Sequence, residues 1–384
     1  MVSVHPDEPF QDEVAGYPRR ALHKAVSTAR RQTHPWSSSI PAVTATAENL
    51  SVAVRCEEDI VTVADETILR IEGLTTRFHL KRGNLTAVDR VSLRIKRGET
   101  FGLVGESGCG KTVTARSILR LIPIPPGEIA TGKIIFEGED LLRQSSRQMR
   151  AVRGKRIAMV FQEPMSALNP VFPVSTQIAD GLRNNLGLTP RQARQRVVEL
   201  LRLVGIPSPE KRMDNYVHQF SGGMRQRVML AMALSCDPQF LIADEPTTAL
   251  DVTIQAQILE LIREMIRRFQ MSLLFITHNL GVVAHMCDTV GVMYASHMVE
   301  QTDTKTLFAE PLHPYTWGLL NSIPHVETRR RYLNPIQGSV CNMLTPPAGC
   351  KFHPRCEKAM DICRQQIPPL REVAPGHHVA CHLY

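Results

Sequence analysis

Apolar and polar positions begin to alternate regularly at Ile68. From there, short alternating runs separated by Gly83 and Gly98 predict antiparallel strands, because alternation places every second side chain on one face of a sheet. Residues 1–67 contain five prolines and no sustained apolar period. They predict a disordered arm or an over-extended start of the coding sequence. The apolar positions of the alternating runs are Leu69, Ile71, Phe78, Val88, Val91, Leu93 and Ile95.

Further along the chain, short apolar strands alternate with helical patterns. Residues 99–104 predict a strand that leads into a glycine-rich loop, and residues 112–121 predict the helix after that loop. Thr189 predicts a helix start with Pro190 in its first turn, and Gly205 predicts the end of that helix. This alternation predicts a parallel sheet that is covered on both faces. Further buried strands are predicted at residues 155–161, 240–243 and 273–276.

Composition narrows the class of protein. The 384 residues are 43% apolar and carry 45 Lys and Arg against 37 Asp and Glu, a formal net charge of +8. This balance permits a large core and excludes a collagen-like or mostly disordered chain. No stretch reaches the ~20 apolar residues of a membrane helix, and the first ten residues lack the apolar segment of a secretory signal. Basic residues are scattered and aromatic residues are 5%, so we expect a cytosolic chain with no nucleic-acid partner.

The nine cysteines are unevenly placed. Structural disulfides are disfavoured in a reducing cytosol, which leaves a metal site or reactive thiols for the cysteines that crowd the tail. Those in the last 44 residues are Cys341, Cys350, Cys356, Cys363 and Cys381.

The glycine-rich loop fits the phosphate-binding pattern G-x-x-x-x-G-K-[ST]. Its glycines let backbone N–H groups converge on phosphate oxygens, and the following helix adds its positive N-terminal end. Lys111 is predicted to reach the β- and γ-phosphates, and Thr112 is predicted to ligate Mg²⁺. The loop residues are Gly105, Glu106, Ser107, Gly108, Cys109, Gly110, Lys111 and Thr112.

An acidic pair ends the predicted strand 240–243. Asp244 is placed to hold Mg²⁺, and Glu245 is placed to polarise an attacking water. Together with the phosphate loop, this pair predicts nucleotide hydrolysis.

Between these two motifs, Phe220-Ser221-Gly222-Gly223-Met224-Arg225-Gln226-Arg227 resembles the signature of ATP-binding cassette (ABC) proteins. Gln162 resembles the Q-loop glutamine of that family, residues 248–251 its D-loop, and His278 its switch histidine. Phe78 is placed like the aromatic residue that stacks on adenine. The resemblance implies an α/β P-loop ABC nucleotide-binding fold with a mixed sheet core, an antiparallel β subdomain and a helical signature subdomain. It implies ATP and Mg²⁺ as ligands, with Gln162 near the Mg²⁺ or the water.

The resemblance also implies a second cassette. Ser221 can cap the helix that starts at Gly222, and with Gly223 this makes a second anion site. In the family that site faces the γ-phosphate held by the partner cassette, which is either a copy or a paralogue. Met224 and Phe220 depart from the usual Gln and Leu but leave the Ser-Gly-Gly core intact.

Other segments are similar to importers of di- and oligopeptides. This similarity implies two membrane-spanning permease subunits, an extracytoplasmic solute-binding protein, and a peripheral location on the cytoplasmic face of the bacterial inner membrane. Import of nickel or another small solute is the alternative. A soluble ABC ATPase of chromosomes or ribosomes is disfavoured because long heptad arms and a second cassette are missing from the sequence. A metal or redox sensor with a degenerate cassette is disfavoured by the intact motifs. The similar segments are residues 168–173, 177–178, 310–324 and 349–356.

The tail cysteines follow the spacing C-x₅-C-x₆-C-x₁₇-C from Cys350 through Cys356 and Cys363 to Cys381. Four thiolates suit either zinc or an iron–sulfur cluster, although the C-x₂-C pairs of common zinc ribbons are missing. The subfamily resemblance favours a four-iron cluster over zinc or free thiols, with Cys341 outside the set. The expected organisation is a disordered arm at 1–67, a cassette at 68–302, and a small cysteine-rich extension at 303–384.

Overall fold

The computed structural model describes residues 66–248, 250–323 and 336–384. The predicted disordered arm therefore lies, except for its last two residues, outside the described part of the chain. No helix among the described residues is long and apolar enough to span a lipid bilayer.

Two sheets and a set of helices make up the described chain. The strands are β1 (Thr67–Leu80), β2 (Gly83–Lys96), β3 (Thr100–Val104), β4 (Gly127–Phe136), β5 (Glu139–Asp140), β6 (Ile157–Val160), β7 (Phe240–Asp244), β8 (Ser272–Thr277), β9 (Thr289–Tyr294), β10 (His297–Asp303), β11 (Arg371–Ala374) and β12 (His377–Val379). The helices are α1 (Lys111–Ile118), α2 (Ser146–Val152), α3 (Pro164–Ala167), α4 (Val174–Leu186), α5 (Pro190–Leu203), α6 (Pro209–Arg212), α7 (Gly222–Leu234), α8 (Val252–Phe269), α9 (Leu280–Met286), α10 (Thr304–Ala309), α11 (Pro314–Asn321) and α12 (Asp361–Gln365).

The smaller sheet is antiparallel, with strand order β2-β1-β4-β5. The alternation after Ile68 predicts β1 and β2, and the prediction is confirmed because the two strands pair antiparallel along most of their length. A hydrogen bond of 2.9 Å between the hydroxyls of Thr76 on β1 and Ser117 on α1 ties this sheet to the helix after the phosphate loop.

The larger sheet is mixed, with strand order β11-β12-β10-β9-β3-β8-β7-β6. Strands β6, β7, β8, β3 and β9 run parallel, as the strand–helix alternation predicts. Strands β10, β11 and β12 join antiparallel at one edge. Because β12 pairs with β10, the C-terminal segment continues the cassette sheet and forms part of the same layer.

Alternate side chains of the parallel strands enter two different cores. On β7, Phe240 and Ile242 pack with the antiparallel sheet, whereas Leu241 and Ala243 pack with the helices α4, α5 and α7. The predicted sheet with both faces covered is therefore confirmed. The acid pair at the end of β7 is consequently held by a strand that is buried on both sides.

Helix α5 shows how the sequence specifies these elements. Thr189 accepts a hydrogen bond from the Gln192 N–H, Pro190 occupies the first helical position, and Gly205 follows the helix at φ +75°. These features confirm the predicted start and end. The cap fixes where the helix begins. The buried face of the helix packs against α4 and α7.

Candidate functional site

The phosphate loop follows β3 and precedes α1, and two of its glycines are required by close backbone contacts. A Cβ on Gly105 would lie 2.1 Å from the carbonyl oxygen of Met293, and one on Gly110 would lie 2.3 Å from that of Ala87. Both residues also have positive φ, +151° and +108°. Any side chain at either position would therefore push the loop away from β9 or β2.

The outer part of the loop is open. Ser107 and Gly108 are exposed, and a Cβ on Gly108 would meet nothing within 4 Å. Cys109 faces inward and is buried, and burial raises the pKa of its thiol. The loop thus offers an exposed backbone tip on a rigid base, which fits the cradle expected for phosphates.

Lys111 is buried inside its own loop. Its ammonium Nζ donates to the carbonyl oxygens of Gly105 at 2.7 Å and Glu106 at 3.1 Å. A buried cation bonded to two loop carbonyls holds the loop closed around itself, and it supplies positive charge where anionic oxygens would arrive.

Thr112 and Asp244 meet although they are 132 residues apart. The Thr112 hydroxyl donates to Asp244 Oδ1 at 3.0 Å, and the carboxylate is only 1% exposed. Burial raises the pKa of Asp244, the hydroxyl hydrogen bond lowers it, and the neighbouring Glu245 raises it further. A buried carboxylate beside a hydroxyl suits a hard divalent cation such as Mg²⁺.

The Glu245 carboxylate is contacted by three side chains from different segments of the chain. Its carboxylate accepts hydrogen bonds from Gln162 Nε2 at 3.1 Å and Thr248 Oγ1 at 2.9 Å, and His278 Nδ1 lies 3.3 Å away. The structure thus brings together the predicted Glu245, Gln162 and His278. Thr248 is part of the D-loop resemblance, but the sequence gives no signal that it contacts Glu245.

Phe78 lies near the end of β1, in register with Leu85 on β2 and Gly127 on β4. A Cβ on Gly127 would come within 3.0 Å of the Phe78 ring, so this glycine leaves space for the aromatic side chain. The ring is half-buried, which leaves part of it accessible for stacking.

The Ser-Gly-Gly signature begins α7 at a different place in the fold. The Ser221 hydroxyl caps the helix by accepting from the Met224 N–H at 3.4 Å. Ser221 and Gly222 are exposed, and a Cβ on Gly223 would lie 2.7 Å from Ile254 of α8. The helix end therefore presents bare backbone N–H groups to solvent, as an intermolecular anion site requires.

Glu106 contacts the C-terminal segment. Its carboxylate accepts two hydrogen bonds from Arg355, and its backbone N–H donates to the Tyr315 hydroxyl. The phosphate-loop pattern predicts Glu106 among the nucleotide-binding residues but gives no sign of these distant partners. Any contribution of Glu106 to nucleotide binding therefore passes through the shape of the loop.

The four predicted tail ligands are neighbours, but they do not form a ligand set. The Cys350 N–H donates to the Cys363 carbonyl at 2.8 Å, and the thiols of Cys363, Cys381 and Cys356 add to burial in raising the pKa of Cys350 to about 11. Within the described ranges, no group of three or more His, Cys, Asp or Glu side chains is arranged to hold a metal ion. The described arrangement therefore does not itself fit a cluster or a zinc ion.

Comparison with known proteins agrees with this site. Residues 88–248 match the family model "ABC transporter", and residues 299–363 match "Oligopeptide/dipeptide transporter, C-terminal region". Among solved structures, the ATP-binding cassette MJ0796 bound to ADP and Pi is 21% identical with a TM-score of 0.56, over 62% of this chain and 98% of that chain. CbiO1 from Clostridium perfringens is 28% identical with a TM-score of 0.54, over 64% of this chain and 92% of that chain. The fold and site thus define an ABC-type ATP-binding cassette.

Curated relatives narrow the class further. A probable peptide ABC transporter ATP-binding protein, y4tR of Sinorhizobium fredii, is 50% identical over 82% of this chain and 95% of its own length. The dipeptide transport ATP-binding protein DppD of Bacillus subtilis is 47% identical over 83% and 95%, and the oligopeptide transport ATP-binding protein OppD of the same species is 48% identical over 81% and 87%. The chain belongs to the ATP-hydrolysing subunits of the oligopeptide/dipeptide family of ABC transporters.

Proposed function

We propose that this chain powers the import of di- and oligopeptides across the bacterial cytoplasmic membrane by hydrolysing ATP. The observation that carries the hydrolytic part is the Glu245 carboxylate, held by Gln162, Thr248 and His278 beside the Thr112–Asp244 pair. The peptide specificity is supported by the C-terminal region match and by the printed functions of the relatives.

In this proposal the phosphate loop binds the ATP phosphates. The backbone N–H groups of residues 107–110 and the Lys111 ammonium face the phosphate oxygens, while Phe78 stacks on the adenine. Thr112, Asp244 and Gln162 are the residues that would hold Mg²⁺. Bound Mg²⁺ supplies charge neutralisation at the β- and γ-phosphate oxygens.

Glu245 serves as the general base in the same proposal. Its carboxylate accepts a proton from the attacking water, and Gln162 and His278 fix the carboxylate orientation. His278 also contacts the γ-phosphate. The exposed Ser221-Gly222-Gly223 end of α7 completes the site of a second cassette, which is a copy or a paralogue. Hydrolysis then requires two cassettes.

The permease subunits have a candidate docking surface after Gln162. Met165, Val171 and Phe172 are exposed apolar side chains, with Val171 72% and Phe172 50% exposed. Gln177 braces this segment by donating to the carbonyls of Asn169 and Phe172. We propose that two membrane-spanning subunits bind here and hold the chain at the cytoplasmic face of the inner membrane. An extracytoplasmic binding protein delivers the solute.

We also propose an iron–sulfur cluster in the cysteine-rich extension. The cysteine spacing supports it, as does the influence of Cys356, Cys363 and Cys381 on the Cys350 thiol. The cluster would form on a rearranged set of thiols, because the described residues include no group arranged to hold a metal ion. Anaerobic purification is expected to give a brown protein with equal iron and sulfide, as thiolate-bound clusters contain. A colourless anaerobic preparation with stoichiometric zinc, or with no metal, contradicts this proposal.

Reconstitution tests the transport function. The chain is coexpressed with neighbouring genes, and we expect two polytopic membrane proteins to copurify with it. In proteoliposomes, peptide-loaded binding protein is expected to stimulate ATP turnover more than nickel-loaded protein does. Stimulation by the nickel-loaded binding protein but not by the peptide-loaded one supports the alternative, an importer of nickel or another small solute. Purification without any membrane protein contradicts the transporter assignment.

A further inference from the structure

Glu106 has three polar groups, and each has a partner. Its backbone N–H donates to the Tyr315 hydroxyl at 2.9 Å, and its carbonyl accepts from Lys111 Nζ at 3.1 Å. Its carboxylate accepts from Arg355 Nη1 at 2.8 Å and from Nη2 at 3.2 Å. Tyr315 and Arg355 lie 209 and 249 residues further along the chain. The first turn of the phosphate loop is thus fixed in part by residues outside the cassette motifs.

The Arg355 guanidinium has little freedom to move. Its side chain is 5% exposed, Nε donates to the Gln337 carbonyl at 3.0 Å, and the guanidinium lies 5.8 Å from the centre of the Tyr294 ring. A planar group bonded on three sides holds a carboxylate in one orientation. Glu106 therefore occupies a fixed position relative to the C-terminal segment.

The Tyr315 hydroxyl is fixed by aromatic packing. Its ring centre lies 4.7 Å from that of Tyr294 and 5.4 Å from that of Phe352, and the residue is fully buried. Phe352 and Arg355 both lie between Cys350 and Cys356. The same short segment therefore carries two cysteines, part of the aromatic cluster and the partner of Glu106.

We propose that Arg355 and Tyr315 are positioning residues for the phosphate loop, so that ATP affinity depends on the order of the cysteine-bearing segment 350–356. The proposal rests on the proposed ATP-binding function of the loop, and it adds that segment 350–356 regulates this binding. Any event that loosens this segment releases Glu106 and weakens ATP binding. Because coupling is reciprocal, bound ATP also stabilises the segment.

Titration of Mg-ATP into the full-length chain measures this dependence. Arg355→Met is expected to weaken ATP affinity by about 5- to 20-fold, the lower part of the range of ordinary site-to-site coupling. Arg355→Lys is expected to lose less ATP affinity than Arg355→Met, because the ammonium keeps the positive charge. Some loss is still expected, because an ammonium cannot bind both carboxylate oxygens in a fork. The control is Arg364→Met, which changes an exposed arginine beside Cys363. Unchanged affinity in folded Arg355→Met, or equal loss in the control, overturns the proposal.

A double-mutant cycle separates positioning from general stability. Glu106→Gln is expected to weaken ATP binding as Arg355→Met does, and the double variant is expected to be no weaker than either single one. Additive losses overturn the proposal. If Arg355→Met does not fold, Glu106→Gln with wild-type affinity overturns it as well. Lys111→Ala tests the proposed function separately from the positioning role. Unchanged ATP affinity in that variant contradicts phosphate binding by the loop itself.

Discussion

Glu245 occupies a backbone conformation that non-glycine residues rarely adopt, with φ +46°. Its N–H donates to the Ile276 carbonyl at 2.9 Å, which holds this conformation against the cost of the left-handed region. The side chain consequently leaves the end of β7 towards Gln162 and His278. The sequence predicts these three residues as one site, and the turn explains how a strand end reaches both.

Replacing the base tests its role. Glu245→Gln is expected to reduce ATP turnover by about 10²–10⁴-fold, because an amide cannot take the proton from water. ATP binding is expected to persist, since the change keeps the shape and removes a negative charge beside Asp244. Steady-state turnover and nucleotide titration of the assembled transporter measure the two effects. Glu264→Gln, on the exposed face of α8, is the control, and wild-type turnover in Glu245→Gln contradicts the assignment.

His313 is expected to make the stability of the fold depend on pH. It is buried, its imidazole Nδ1 accepts from the Tyr315 backbone N–H, and its backbone N–H donates to the buried carboxylate of Glu300. Burial lowers the pKa of His313 from 6.5 to about 3. Below pH 6.5 the unfolded chain therefore binds a proton at His313, whereas the folded chain does not. The stability contribution of His313 is present above pH 6.5 and is lost as the pH falls towards 3.

The expected loss from His313 between pH 7 and pH 5 is about 2 kcal/mol of unfolding free energy. His313→Asn keeps a capping acceptor and is expected to remove this part of the pH slope. Urea unfolding at several pH values measures it. The exposed His285→Asn variant is the control and is expected to keep the slope. A slope that His313→Asn leaves unchanged contradicts this prediction, because it shows that His313 binds its proton equally well in the folded and the unfolded chain.

Elements whose signals are local could be predicted from the sequence. Residues 99–104 predict β3, which the structure gives as Thr100–Val104, and the capped helix after Thr189 is α5. The Arg355–Glu106 contact could not be predicted, because it joins residues 249 apart and each is an ordinary charged residue in its own segment. Strand β12 has only three residues, and three residues carry too little alternation to be recognised.

The signature helix α7 permits a test with a matched cap. Ser221→Ala and Thr189→Ala each remove a hydroxyl that accepts a helix N–H at 3.4 Å, so each is expected to cost about 1 kcal/mol of stability. Only Ser221→Ala is expected to lower ATP turnover of the assembled transporter, by about 10²-fold, because it also removes the proposed donor to the γ-phosphate. Equal turnover in the two variants contradicts the anion-site assignment.

At the scale of the whole molecule, the phosphate loop and the exposed signature are two separate candidate anion sites. If each pairs with the complementary site of another cassette, the isolated chain is expected to hydrolyse ATP slowly, with turnover per chain rising with chain concentration. Membrane subunits that bind two cassettes raise the effective concentration of one cassette near the other, so a high concentration of free chain is no longer needed. Turnover measured across a dilution series, with the mass of the species verified, checks this. Full turnover in a verified monomer contradicts it.

The pairing of β10 with β12 sets the order in which the molecule can be completed during synthesis. Glu300 on β10 is fully buried, and its carboxylate meets His377 on β12 at 2.8 Å, 77 residues later. Until His377 leaves the ribosome, Glu300 must stay in water or be buried without this partner, which is costly. The ATP-binding motifs are all synthesised well before that moment. A nascent cassette therefore carries every side chain of the proposed catalytic site while the edge of its central sheet is still unfinished.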